Sequence, residues 1–221
     1  MKCILLAAVL ALSPAPLFAA EALKAAPASL DPARGYVLVR LGERAPDLWN
    51  YLTLAPYDEQ SEDVRGRGRA KANAVPKGAD KHVMIGAKPF IAEEPHMRTY
   101  LMALTPGRYV IASSPTTCFC LGSYSVDVAA GQVTDLGSIY IGAENGSSPW
   151  AALSKLHSSP DIETRGYTVA DAMAIVPASS EAAVPPALAA LPRVAAEYRP
   201  VRRFGNHSGL LVNRALPLGR Q

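Results

Sequence analysis

Residues 108–142 read "RYVIASSPTTCFCLGSYSVDVAAGQVTDLGSIYIG", and this stretch decides the fold class. "RYVIASS" (108–114), "CFCLGSYSVDVAA" (118–130) and "QVTDLGSIYIG" (132–142) are rich in β-branched and aromatic residues. Pro115 and Gly131 separate them, so the stretch reads as strands joined by turns. A helix would need apolar residues at i, i+3, i+4 and i+7 over several turns, and no part of 35–142 keeps that spacing.

Working outward, the same texture runs back to residue 35. "GYVLVRL" (35–41), "NYLTLAP" (50–56), "KHVMIGA" (81–87) and "RTYLMAL" (98–104) are further strand candidates. Short strands punctuated by turn residues predict a mainly β protein, an antiparallel β-sandwich over residues 33–143. One segment interrupts the pattern. "YDEQSEDVRGRGRAKANAVPKGADK" (57–81) is polar and has no core periodicity, so it reads as a solvated loop or long hairpin. Its first half is acidic, whereas its second carries Arg65, Arg67 and Arg69, a candidate contact for an anionic polymer.

Beyond Gly142 the composition shifts, and 144–221 reads as a Pro/Arg-rich extension, mostly irregular with short helical or strand pieces. Prolines 185, 186, 192, 200 and 217 forbid a long helix there. From Arg193 onward six arginines face one glutamate, Glu197, a formal balance of +5 that makes Arg202 and Arg203 candidate partner-binding residues. Tyr198, Phe204, Leu210, Leu211 and Val212 are more large apolar side chains than a solvated tail carries. The segment therefore reads as an arm that docks, on its own domain or on a partner.

The chain begins with Lys2, an apolar run from Cys3 to Leu12, prolines at 14 and 16, and small residues at Ala19, Ala20 and Ala22. That order predicts a secretory leader over 1–22, with cleavage after Ala19, Ala20 or Ala22 and a periplasmic or secreted product. Only Ala20-Glu21-Ala22 gives a strict A-x-A triplet. No later run is long enough for a transmembrane helix. A formal charge of +3 on 221 residues gives no support to nucleic-acid binding.

Cys118 and Cys120 stand one residue apart, and the only other cysteine, Cys3, leaves with the leader. In a regular strand the pair shares a face with Tyr124, Val126 and Val128, opposite Ser123, Ser125 and Asp127. Residues spaced by two in a strand lie roughly 6.5–7 Å apart at Cα, which suits a disulfide poorly. An oxidising compartment favours a bridge wherever a turn draws the sulfurs together. The spacing leaves a disulfide, buried thiols, or a thiol or metal centre open.

"LTPGRYVI" (104–111) and "SYSVDVAAGQVTDLGSIYIG" (123–142) resemble exported bacterial β-sandwich proteins related to carboxypeptidase regulatory-like and transthyretin-like domains. There a Pro-Gly turn leads into a strand and an "AG-x-V-x-D-L-G" turn joins the last strands. Gly107 after Pro106 and Gly131 after Ala130 are the residues able to take the positive φ of a type II turn. The resemblance implies a sandwich fold and an envelope or structural module without catalysis.

No metal-binding or nucleophile motif competes with that expectation. The four histidines have no H-E-x-x-H spacing, and "GNHSGL" lacks the G-x-S-x-G elbow. Glu93, Glu94 and His96 are close in sequence, but Pro95 makes them an extended turn. The expected function is a non-catalytic exported envelope module, without cofactor, that binds a protein or anionic polymer through loops and tail. The alternative is a thiol- or metal-dependent site around the Cys-x-Cys pair.

Overall fold

The computed structural model describes residues 19–45, 48–49, 51–65, 82–114, 117–142, 172–179, 184–205 and 211–215. Residues 1–18, Arg67, Arg69, residues 143–171, and Leu210 lie outside the described residues. Among the described residues the protein is mainly β, with one 3-10 turn at Pro186–Leu188 and no α-helix.

Two sheets form. The first runs β1 (Glu21–Ala22), β8 (Met97–Leu104), β2 (Gly35–Ala45), β12 (Val133–Gly142), β13 (Ala172–Val176). Off this path β7 (Ala92–Glu94) pairs with β8, β3 (Leu48–Trp49) with β2, and β14 (Arg193–Ala195) with β12. The second runs β15 (Arg199–Val201), β11 (Ser123–Val128), β9 (Gly107–Ser113), β10 (Thr117–Cys118), β16 (Leu211–Val212). Here β4 (Leu52–Asp58) pairs with β9 and carries β5 (Asp63–Val64) and β6 (Val83–Ile85).

The mainly β class holds, and most strand pairs are antiparallel, with parallel pairs among them. β12 runs parallel to both β2 and β14, and β10 runs parallel to β16. The reason lies in the connections. The Pro106–Gly107 turn joins β8 of the first sheet to β9 of the second, and Gly131 joins β11 of the second to β12 of the first. Neither turn closes a hairpin, so β12 can enter beside β2 in either direction. Gly131 has the expected left-handed backbone at φ 67°, but Gly107 lies at φ 157°, far from the roughly +80° of a type II turn.

Side-chain alternation gives each sheet two apolar faces. Val37, Val39 and Leu41 of β2 share one buried cluster with Leu52, Leu54, Tyr109, Ile111, Val126 and Val128 of the second sheet. The intervening Tyr36 and Leu38 point the other way, where Leu101, Ala103 and Leu188 meet Leu23, Leu30 and Leu191. The second sheet's other face holds Ala55, Val64, Val110, Ala112, Cys118 and Cys120 beneath Val201 and Phe204. Burial on both faces explains why "VLV" and "YLMAL" read as near-continuous apolar runs rather than alternating ones.

The arm docks on its own domain. Described residues of the extension supply β13 and β14 to the first sheet and β15 and β16 to the second. Phe204, Val201 and Ala215 are buried, and Leu211 is partly so.

Candidate functional site

The fold resolves the state of the two cysteines of the Cys-x-Cys pair. Cys118 and Cys120 are joined by a disulfide, with Cα atoms 5.2 Å apart. That is shorter than a regular strand spacing and inside the range a bridge tolerates. The strand breaks here: Gly122 N donates to Phe119 O at 3.2 Å, and Gly122 takes φ 149°. The turn also overturns the expected shared face. Phe119 joins Val126 and Val128 in the central cluster, while both cysteines face the opposite cluster with Phe204 and Val201. Ser123 and Ser125, expected on the side away from the core, are buried as well. The Ser123 hydroxyl donates to Ile111 O at 2.6 Å, and Ser125 pairs with Arg199 of β15.

The tail closes over the bridge through the backbone of the two cysteines. Phe204 N donates to Cys120 O at 3.0 Å, and Asn213 N donates to Cys118 O at 2.8 Å. Cys118 is 1% and Cys120 3% exposed. A disulfide so enclosed is held away from thiols in solution, which argues for a structural bond.

The same apolar cluster brings together two basic stretches remote in sequence. Val64 of β5 packs in the group that holds Val201 and Phe204. Beside it, Gly205 N donates to Asp63 Oδ1 at 3.1 Å. Arg65, which follows Val64, therefore stands on a segment held against the one bearing Arg202 and Arg203. Its side chain is 53% exposed and reaches Asp58 only at 3.8 Å. Arg202 and Arg203 are exposed, between two anchors, Val201 and Phe204, that are buried.

Three carboxylates of the acidic half of the 57–81 segment, Asp58, Glu59 and Asp63, have partners. Glu59 pairs with Arg108, and Arg108 also grips Asp127 through two hydrogen bonds of 2.7 and 2.8 Å. Those bonds hold the Asp127 carboxyl below the usual carboxylate range. Asp63 Oδ1 accepts from the Val64 and Gly205 amides, and Asp58 Oδ1 accepts from Gln60 N. Among the described residues, neither Arg202 nor Arg203 forms an ion pair.

A second charged group escaped the sequence reading. Asp135, 1% exposed, accepts from Arg40 at 3.3 Å and from Arg193 at 3.1 Å. Its Oδ1 also accepts from Gly137 N at 2.8 Å. Tyr198, stacked edge-on against Tyr124, donates to Leu136 O at 2.5 Å. Burial first, and the Asp135 charge second, push the Tyr198 phenol far above its ordinary 10. This group binds β2, β12 and the start of the tail together. Its sequence signal is "TDLG" (134–137), where an aspartate stands two residues before a glycine in a strand.

Glu93 and Glu94 are the last two residues of β7, and His96 turns the chain into β8 at φ 63°. Glu93 is engaged by Arg98 at 2.5 Å. Among the described residues no three His, Cys, Asp or Glu side chains converge as a metal site. No described helix is long and apolar enough to cross a membrane.

No family model, no curated protein and no solved structure matches this chain.

Proposed function

We propose that the protein is a non-catalytic, exported module of the cell envelope that binds an anionic envelope polymer through Arg65, Arg202 and Arg203. One observation carries the reading. The tail that seals the disulfide also holds Arg202 and Arg203 exposed on a segment tied to the Arg65 turn, and among the described residues neither of the two pairs with a carboxylate. Arg67 and Arg69 follow directly in sequence and would extend the basic stretch. The enclosed disulfide is the chemistry of an oxidising compartment, in line with the leader-like start and the resemblance of residues 104–142 to exported sandwich domains. The alternative, a thiol centre at Cys118–Cys120, would need an accessible sulfur, and both are enclosed.

The test uses the purified mature protein and vesicles containing a phosphorylated glycolipid, with zwitterionic vesicles as control. Each basic side chain near an anionic surface contributes about 1 kcal/mol. The double substitution Arg202→Ala, Arg203→Ala should therefore weaken binding roughly thirtyfold. Added salt should weaken the wild type in the same direction. Equal binding to both vesicle types, or an unchanged affinity in the double variant, would overturn the reading.

A further inference from the structure

The start of the fold carries an inference about where the leader ends, and it rests on the export reading proposed above. Sequence allows a cut after Ala19, Ala20 or Ala22, and the strict A-x-A triplet points to the last. The structure points elsewhere. Glu21 and Ala22 are strand β1, paired with Ala103 and Met102 of β8. The pairing continues with Leu23 N donating to Leu101 O at 2.9 Å. Glu21 Oε2 accepts from Arg34 Nη1 at 2.9 Å, and the Arg34 side chain is only 15% exposed. Arg34 Nη2 donates to Ala103 O at 3.2 Å and to Ala19 O at 3.1 Å.

We infer that the leader is removed before Glu21, by hydrolysis after Ala19 or Ala20, and that Glu21–Ala22 stay as the first strand of the mature protein. In either reaction water adds across one amide. The alanine carbonyl leaves as the leader's carboxylate, and the nitrogen becomes the new α-amino group. Both cuts remove the Ala19 contact and leave Arg34 its carboxylate and the Ala103 carbonyl. A cut after Ala20 places the new ammonium on Glu21 itself, beside that residue's own carboxylate. A cut after Ala22 does the opposite. It deletes the Glu21 carboxylate, 59% exposed, that pairs with Arg34, and sets a second positive charge, the Leu23 ammonium, at the same sheet edge. Residues 23–30 then lose the strand that leads them onto the Leu38–Leu101 face, where Leu23 and Leu30 pack.

The experiment is expression of the full chain in a bacterial host, followed by intact mass and N-terminal sequencing of the envelope fraction. A mature start at Ala20 or Glu21 is expected. A start at Leu23 would overturn the inference while leaving export intact, whereas an intact Met1 would overturn the export reading and this inference with it. Ala22→Leu supplies the second arm. It blocks a cut after residue 22, which needs a small side chain there, and leaves the two earlier bonds untouched. The variant should be processed to the same start as the wild type; accumulation of unprocessed chain would overturn the inference.

Discussion

Asp135 and Tyr198 sit within one small volume, and each tests a different physical claim. Asp135 faces two guanidinium groups whose side chains are 13% and 19% exposed. Removing one charge from a buried group of this kind leaves the others uncompensated, at roughly 3–5 kcal/mol. Asp135→Asn keeps the shape and removes the charge, so its urea midpoint should fall by that amount divided by the urea slope. A loss below about 1 kcal/mol would mean that the two arginines already find water, as exposed pairs do. Tyr198 speaks through pH. Its folded pKa is raised above an unfolded value near 10, so the folded chain keeps a proton that the unfolded chain releases. Stability is therefore fully present below about pH 10 and falls as pH rises above it. Tyr198→Phe should lose about 1 kcal/mol at pH 7, from the hydrogen bond to Leu136, and show a shallower decline between pH 10 and 11. Tyr57 and Tyr100, also raised chiefly by burial, leave a residual slope. An alkaline decline as steep as the wild type's would refute the assignment to Tyr198.

The strand β12 shows how one glycine organises an element. Its register slips between Asp135 and Ser138, so that β14 pairs along Val133–Asp135 and β13 along Ser138–Gly142 on the same flank. Gly137 sits in the slip at φ 77°, and a Cβ there would lie 2.2 Å from Val176 O. Gly137→Ala should cost roughly 1–3 kcal/mol in backbone strain alone, and more from the clash with β13. Gly107→Ala is the internal control, with positive φ but nothing within 4 Å of the added carbon. Thermal melts of the two variants should rank Gly137→Ala well below Gly107→Ala; the reverse order would refute the role given to the slip. Strand identity was legible in the sequence because β-branched runs and turn residues are local properties. Strand direction was not, because it depends on which sheet each turn enters. Gly131 could be read from its turn, whereas the need for glycine at 137 arises from β13, a segment 35 residues further on. The basic patch was half legible. Composition marked Arg65, Arg202 and Arg203, but only the cluster shared by Val64, Val201 and Phe204 and the Gly205–Asp63 bond tie their segments together. The disulfide escaped the strand geometry because a turn at Gly122 shortens the spacing that the periodicity assumes.

At the scale of the whole molecule, the tail adds strands to both sheets. β14 completes the flank of β12, β15 covers β11, and β16 lies beside the disulfide-bearing β10. Cutting the chain after Pro192 removes all three strands, takes Arg193 from Asp135, and strips Val201 and Phe204 from the cluster around the cystine. Each of those apolar side chains contributes roughly 1.5–3 kcal/mol when enclosed. A domain of this size has a total stability of about 5–15 kcal/mol, so the truncated chain should melt far below the full one or fail to fold. Phe204→Ala keeps the backbone and separates burial from strand loss. It should fold, cost roughly 3–5 kcal/mol, and let the Cys118–Cys120 bridge be reduced at lower dithiothreitol concentration than in the wild type. Because the tail's amides bond to the cysteine carbonyls themselves, tail protection and bridge protection should be lost together. Hydrogen exchange at Phe204 and Asn213, followed alongside thiol release through a urea titration, should give coincident transitions. A tail that exchanges freely while the bridge stays closed and the sheets stay folded would show instead that the two sheets stand without it.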